Sequence, residues 1–184
     1  MMVLVDKEIT SVGRMTAIHT RDITREVIVI GLGDIHVSND PYKVLTCIGL
    51  GSCIALCIYD PITKLGGMAH IVLPSSINGR NPMASAKYAD SAVPMLLKYM
   101  SQLGAIGRRL VVKVAGGANM LSIPGKNTLN IGERNILAVK EALAKEKMSI
   151  SGAELGGTCG RSVRFFVDSG RVLVQTIGKS GIEL

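Results

Sequence analysis

The chain has no tryptophan and only two phenylalanines among its 184 residues, so aromatic side chains make up 3% of the sequence. A hydrophobic core must therefore be built from aliphatic side chains, in keeping with a composition that is 47% hydrophobic. Scarce aromatics also argue against nucleic-acid binding, because proteins that bind single strands stack the bases on aromatic rings set among basic residues.

Long apolar runs are missing as well. None reaches the roughly 18 residues that a membrane-spanning helix needs, and acidic residues stand near the N-terminus where a secretory leader would be basic. We therefore expect a cytoplasmic protein with no membrane insertion. In that compartment cysteines remain reduced thiols rather than disulfides. The thiols are those of Cys47, Cys53, Cys57 and Cys159.

Acidic residues are outnumbered 14 to 21 by lysine and arginine, which gives a formal net charge of +7. The excess is uneven, since residues 60–113 carry seven basic and only two acidic side chains. A basic surface attracts acidic partners. Because the aromatics that nucleic acid would require are missing, we expect an acidic protein partner and no nucleic acid.

The length fits one compact domain. Residues 1–25 show little periodicity and are predicted to form a flexible extension, with a single domain over 26–184. Two segments have helical periodicity, Ala84–Leu103 and Ile131–Lys147. Pro94 predicts that the first helix either kinks there or starts later, with Asp90 or Ser91 as its cap.

Short β-branched or apolar runs bounded by turn residues predict strands. The last two of them should form a hairpin across the turn at residues 168–171. The sum is an α+β fold in which helices pack on a mostly antiparallel sheet system. The predicted strands are Glu26–Leu32, Val44–Ile48, Cys53–Tyr59, Lys64–Leu73, Arg109–Ala115, Ser162–Val167 and Val172–Ile177.

One motif suggests a catalytic site. Cys53 ends a glycine-punctuated run after Gly49 and Gly51, and His70 follows seventeen positions later on the next apolar segment. A thiol beside an imidazole is the minimum apparatus for acyl transfer by a cysteine nucleophile. A glycine bend can also aim the backbone amides of Ser52 and Cys53 at a developing oxyanion, although a β-bulge would account for the glycines equally well.

The remaining candidates favour plainer interpretations. Cys57 lies in an apolar strand and is expected to be a core residue. His19 lies in the extension and His36 is predicted in a turn. A zinc site formed by Cys47, Cys53, Cys57 and His70 would lack the paired ligand spacing of most such sites. We therefore predict neither a metal nor a cofactor.

Seven blocks, in order along the chain, resemble the signature motifs of the chemoreceptor glutamine deamidase family, CheD. The resemblance runs from about Ile28 to Ile177 and leaves out the first twenty-odd residues. The blocks are Gly49-Leu50-Gly51-Ser52-Cys53, Tyr59-Asp60-Pro61, Gly66-Gly67-Met68-Ala69-His70 with Leu73-Pro74, Lys87-Tyr88-Ala89-Asp90, Ala115-Gly116-Gly117-Ala118, Asn130-Ile131-Gly132-Glu133-Arg134-Asn135, and Gly156-Gly157 with Gly160-Arg161.

The resemblance implies an α/β sandwich similar to that of bacterial deamidating toxins. It also implies hydrolysis of glutamine side chains to glutamate on the cytoplasmic helices of methyl-accepting chemotaxis receptors, with release of ammonia. The family's nucleophile falls on Cys53 and its base on His70. Its third catalytic position, a threonine, falls on Cys47, and Thr46 is the neighbouring residue.

A second function class is compatible with the same resemblance. The chain could act without catalysis, as a regulatory module that binds receptors or a CheC-type phosphatase. Loss of deamidation in Cys53→Ser with binding retained would separate the two roles. A third class, nucleic-acid binding through the basic face, predicts affinity that falls steeply with salt and is insensitive to Cys53.

Overall fold

The computed structural model describes residues 3–5, 25–77, 86–120 and 130–184. Within them the chain forms two α-helices, α1 (Ala89–Gln102) and α2 (Ile131–Lys145), and one short 3-10 turn at Gly107–Arg109. The strands are β1 (Val3–Val5), β2 (Glu26–Val29), β3 (Ile35–Ser38), β4 (Lys43–Leu50), β5 (Ile54–Asp60), β6 (Leu65–Ile71), β7 (Val111–Gly116), β8 (Ile150–Leu155), β9 (Arg161–Phe166), β10 (Val172–Thr176) and β11 (Ile182–Glu183).

The strands form two sheets. The first has the order β1-β3-β6-β5-β7-β8 and the second the order β11-β10-β9-β4-β2. Most neighbouring strands are antiparallel, and the parallel pairs are β1 with β3, β7 with β8 and β2 with β4. The predicted α+β class and mostly antiparallel pairing are confirmed.

Two hydrophobic layers hold the fold together. Successive residues along a strand face opposite sides of the sheet. On β6, Ala69 and Ile71 face the layer under the helices, whereas Met68 faces the layer between the two sheets. That second layer also contains side chains of β4 and β9, among them Leu45 and Phe165. The aliphatic core expected from the composition is thus split by the central sheet.

Helix α2 begins with a reciprocal capping arrangement. The Asn130 side chain accepts a hydrogen bond from the Glu133 N–H, and the Glu133 side chain accepts one from the Asn130 N–H. These bonds satisfy amide groups that a helix start leaves without partners. They fix where α2 begins, four residues before Asn135.

Most predicted elements lie within a few residues of the observed ones, but two details were wrong. Helix α1 is capped by Tyr88, so Asp90 and Ser91 lie inside its first turn rather than at the cap. Pro94 is accommodated within the helix. His36 does not lie in a turn but in strand β3, where it is buried.

Parts of the prediction fall outside the described residues. They are the extension apart from 3–5 and 25, His19, and the first two residues of the predicted first helix. Among the described helices, none is long and apolar enough to cross a membrane.

Candidate active site

Cys53 lies in the turn between β4 and β5, one residue before the first residue of β5. Gly49, four residues earlier, has a φ of 69°, a backbone conformation that favours glycine. Cys53 is partly exposed, whereas Cys47 and Cys57 are buried. Among the three cysteines of this region, Cys53 is therefore the one that a substrate can reach.

His70 lies on β6, directly opposite Ala55 of β5. Ala55 and the partly buried Cys53 both belong to the layer between the sheets, so Cys53 lies on the side of the sheet that His70 faces, just beyond the last paired residues of β5 and β6. The topology thus places the two residues predicted from the sequence on one side of the sheet, near the same end of β5.

The His70 ring is held by one nitrogen. Its Nδ1 lies 3.0 Å from the Ile30 carbonyl oxygen, which can only accept a hydrogen bond, so Nδ1 carries the proton. The neutral ring then leaves Nε2 as a base. Nε2 is buried and has no hydrogen-bond partner among the described residues, Cys53 included. This tautomer is the one that a general base requires.

The turn that carries Cys53 is tied down through its carbonyl groups. Each of three successive carbonyls accepts a hydrogen bond of 2.8 Å, and the pairs are Gly51 with the Ala118 N–H, Ser52 with Asn135 Nδ2, and Cys53 with the Gly117 N–H. By contrast, the N–H groups of Ser52 and Cys53 donate no hydrogen bond within the described part of the chain. Among the described residues, nothing competes for these two amide donors.

Close backbone approach makes this arrangement depend on glycine at position 116. Gly116 has a φ of 126°, and a Cβ atom there would lie 2.1 Å from the Cys53 carbonyl oxygen. Any other residue would push β7 away from the turn. Gly116, the last residue of β7, thus allows tight packing against Cys53.

Cys47 and Thr46 lie on opposite faces of β4. The Cys47 sulfur is buried 3.9 Å from that of Met68. The Thr46 hydroxyl contacts the Val44 carbonyl at 3.5 Å. Pairing with β9 stays regular through both residues and shifts only between Cys47 and Leu50, so no bulge turns Thr46 inward.

The protonation states in the site follow from burial. Burial raises the pKa of the Cys53 thiol above its ordinary value. Burial also lowers the pKa of His70, against smaller upward contributions from the Ile30 carbonyl and Asp34. Both shifts favour a neutral thiol beside a neutral imidazole at neutral pH. A base is therefore needed for Cys53 to act as a nucleophile.

Two other features lie apart from this site. Within the described residues, no group of three or more histidine, cysteine or acidic side chains is arranged to hold a metal ion. A groove between α1 and α2 is lined by side chains that include Asp90, Arg134 and Glu141, but neither Cys53 nor His70 borders it.

Two contacts of the candidate site escaped the sequence analysis. The Ile30 carbonyl is a backbone group and leaves no trace in residue identity. Asn135, by contrast, stood in one of the recognised motifs, and an asparagine inside a helix is a poor helix former. That mismatch could have marked it as a residue kept for its hydrogen bonds.

Comparison with known proteins agrees with the motifs. Residues 72–176 match the family model described as CheD chemotactic sensory transduction. A protein of Symbiobacterium thermophilum is 44% identical over 87% of this chain and 98% of its own length. One from Desulforamulus reducens is 43% identical over 82% and 91%. Both are described as a probable chemoreceptor glutamine deamidase CheD.

Among solved structures, the Bacillus licheniformis hypothetical protein YfiH shows a distant likeness, with a TM-score of 0.43 and 11% identity over 76% of this chain and 62% of that one. That likeness is too remote to bear on function. The family match and the two relatives are much stronger evidence. They show that this chain belongs to the CheD family.

Proposed function

We propose that this protein hydrolyses the side-chain amides of selected glutamine residues on chemotaxis receptors, with Cys53 as nucleophile and His70 as general base. The observation that carries the proposal is the state of the His70 ring. One nitrogen is held by the Ile30 carbonyl, and the other is a free base on the sheet face that carries Cys53. The names of the relatives supply the substrate class.

In the first half of the reaction, His70 Nε2 takes the thiol proton as the Cys53 sulfur attacks the glutamine amide carbon. The carbonyl oxygen becomes an oxyanion that the N–H groups of Ser52 and Cys53 stabilise. The carbon–nitrogen bond then breaks, and His70 returns the proton to the departing ammonia. A thioester remains on Cys53.

In the second half, His70 takes a proton from water as the water oxygen attacks the thioester. The carbon–sulfur bond breaks, and the sulfur regains a proton from His70. The products are a receptor glutamate, ammonia and the regenerated enzyme. The same nitrogen thus serves as base and acid in turn.

The third catalytic position requires a different solution here from the one that the family pattern implies. Cys47 packs against Met68, and Thr46 points to the other face of β4. The Ile30 carbonyl already accepts the Nδ1 proton of His70. We therefore assign the role of orienting the imidazole to this backbone group, so that no side chain is needed for it.

Deamidation of a purified cytoplasmic receptor fragment tests the proposal. Ammonia release and the mass of each glutamine-containing peptide should show conversion to glutamate with the wild-type chain. Cys53→Ser should abolish both signals, and Cys159→Ser, at the other partly exposed cysteine, serves as the matched control. Undiminished ammonia release by Cys53→Ser would overturn the proposal.

The cytoplasmic location and the CheC-type phosphatase partner remain predictions that accompany this function. Receptor helices that carry the glutamines lie in the cytoplasm, so the enzyme should act there. For the phosphatase, binding of a purified CheC protein to wild type and to Cys53→Ser should be equal. The non-catalytic function is favoured if receptor or phosphatase binding is seen while no glutamine is converted.

A further inference from the structure

Asn135 joins the two halves of the site from outside the sheet. It lies on α2, is fully buried, and its Nδ2 donates hydrogen bonds to the carbonyls of Ser52, at 2.8 Å, and Val72, at 2.9 Å. Ser52 precedes the nucleophile, and Val72 is two residues beyond His70. One side-chain amide therefore links the segment bearing the thiol to the segment bearing the base.

The two Asn135 hydrogen bonds connect the chain segments at the point where the pairing of β5 with β6 has ended. Pairing between β5 and β6 ends at Ile54 with Ile71, so Cys53 and Val72 lie just beyond the last ladder pair. The Val72 N–H bonds instead to Lys87. Without Asn135, no described hydrogen bond would join the turn to the end of β6.

As a core residue, Asn135 also lowers the stability of the fold. Its Oδ1 is buried with no hydrogen-bond partner among the described residues, and a buried unsatisfied oxygen destabilises a protein. Val139 and Leu143, which follow at helical spacing on α2, are apolar and buried. An apolar residue would suit this face better, so stability alone does not account for the amide.

The covalent geometry of the peptide group shows what the amide does. A trans peptide is planar, and its carbonyl oxygen and N–H point in opposite directions. The Ser52 carbonyl and the Cys53 N–H belong to the same peptide group. When Asn135 holds that carbonyl, it directs the Cys53 N–H away from α2.

We infer that Asn135 is a positioning residue that orients the Cys53 N–H for oxyanion stabilisation and fixes the turn against the His70 strand. The inference rests on the proposed function. Because an oxyanion forms only in the transition state, loss of this orientation should lower kcat and leave KM nearly unchanged.

Steady-state deamidation by Asn135→Ala and Asn135→Asp tests the inference. We expect kcat to fall about 10²- to 10³-fold in both variants, as when an oxyanion-hole donor is lost, with KM changed less than about threefold. Val139→Ala is the matched control, because it removes buried volume one turn along the same helix without touching the turn. It should keep the wild-type kcat.

The aspartate variant adds a readout that a merely structural role would not move. An ionised carboxylate cannot donate to the two carbonyls, but a protonated one can donate to one of them. The ratio of the variant's kcat to that of wild type should therefore rise as the pH is lowered. This variant nearly preserves the volume of Asn135 and carries the test if Asn135→Ala does not fold.

The outcomes separate this inference from the proposed function. An inactive wild-type chain would refute the proposed function. An active wild type, with a kcat in the folded Asn135 variants equal to that of Val139→Ala, would overturn the positioning role alone. A loss confined to KM would overturn it as well.

Discussion

The titratable side chains near the two ends of strand β5, Asp60 and His70, differ in their hydrogen bonding. At the end near Asp60, the carboxylate accepts hydrogen bonds from the N–H groups of Ile62 and Ile106 and from the Arg109 guanidinium, whose Nη2 lies 2.6 Å away. At the Cys53 end, by contrast, His70 Nε2 and Asn135 Oδ1 are buried without partners among the described residues.

The difference agrees with the proposed function, in which Asp60 stabilises the fold and His70 takes part in the reaction. Buried polar groups are normally hydrogen-bonded, so an unsatisfied cluster needs an explanation. Near Cys53 the groups without partners among the described residues include those that a reacting amide would use, namely the His70 base and the N–H groups of Ser52 and Cys53. The predictions below test this division.

The largest expected effect is at Cys53. Cys53→Ser should reduce kcat/KM for deamidation by at least about 10⁴-fold, because the nucleophile is lost. Because the side chain is only partly buried, the thermal unfolding midpoint should change little. Calorimetry measures the unfolding midpoint, and the deamidation assay measures kcat/KM. A large drop in the midpoint with activity retained would show that Cys53 stabilises the fold and is not the nucleophile.

His70→Gln should lower kcat about 10²- to 10⁴-fold, the usual contribution of a general base. Burial lowers the pKa of His70 below its ordinary value of 6.5, so the ring stays neutral to a lower pH than a free histidine. In wild type, kcat/KM should fall only as the pH drops below that value. The pH–rate profile measures this, and an acid limb centred above 6.5 would contradict the assignment.

Substitution of Asp60 should have the reverse effect, a loss of stability without a loss of activity. Its side chain is fully buried, and although burial alone would raise the pKa, hydrogen bonds from Arg109, Ile62 and Ile106 hold it at about 2, below the usual 3.8. Asp60→Asn should destabilise the fold by about 2–4 kcal/mol and leave kcat unchanged below the melting temperature. Urea unfolding and the deamidation assay measure these effects.

The sign of the pH effect follows from the lowered pKa. The carboxylate of Asp60 stabilises the folded state fully above pH 3.8, and that contribution is lost as the pH falls toward about 2. The difference in unfolding free energy between wild type and Asp60→Asn should shrink over this range. A constant difference would show that the ionised carboxylate is not what stabilises this end.

The smallest effect is expected at Cys47, although the family pattern places it in the catalytic set. Its sulfur packs on Met68, so Cys47→Ala should cost about 1 kcal/mol of stability. Activity should fall far less than in Cys53→Ala, because the Ile30 carbonyl already orients His70. Equal losses of activity in the two variants would reject that assignment.

Local sequence patterns were sufficient for much of the fold. Strands β5 and β6 and helix α2 were predicted to within two residues, because their apolar runs or helical periodicity end at clear turn or capping residues. Strand β3 was missed since it is four residues long, contains His36 and Ser38, and lies between turn residues. Strand β8 was missed because it pairs parallel to β7 at a sheet edge and includes Gly152.

The candidate site was also predictable only in part. Side-chain chemistry pointed to Cys53 and His70, and their common sheet face follows from the pairing of β5 with β6. The Ile30 carbonyl and the free N–H groups of Ser52 and Cys53 are backbone features, and every residue except proline carries a backbone N–H. Their arrangement depends on tertiary structure and could not be predicted from residue identity.

The central claim, that His70 activates Cys53, is tested most directly by alkylation with iodoacetamide at neutral pH. Peptide mass spectrometry resolves Cys53 from Cys159, the other partly exposed thiol, which serves as an internal reference. Burial raises the pKa of Cys53, so its thiol should react slowly without a base. We predict that Cys53 is alkylated at least about tenfold faster in wild type than in His70→Gln, with Cys159 unchanged; equal rates at Cys53 in the two proteins would contradict the account.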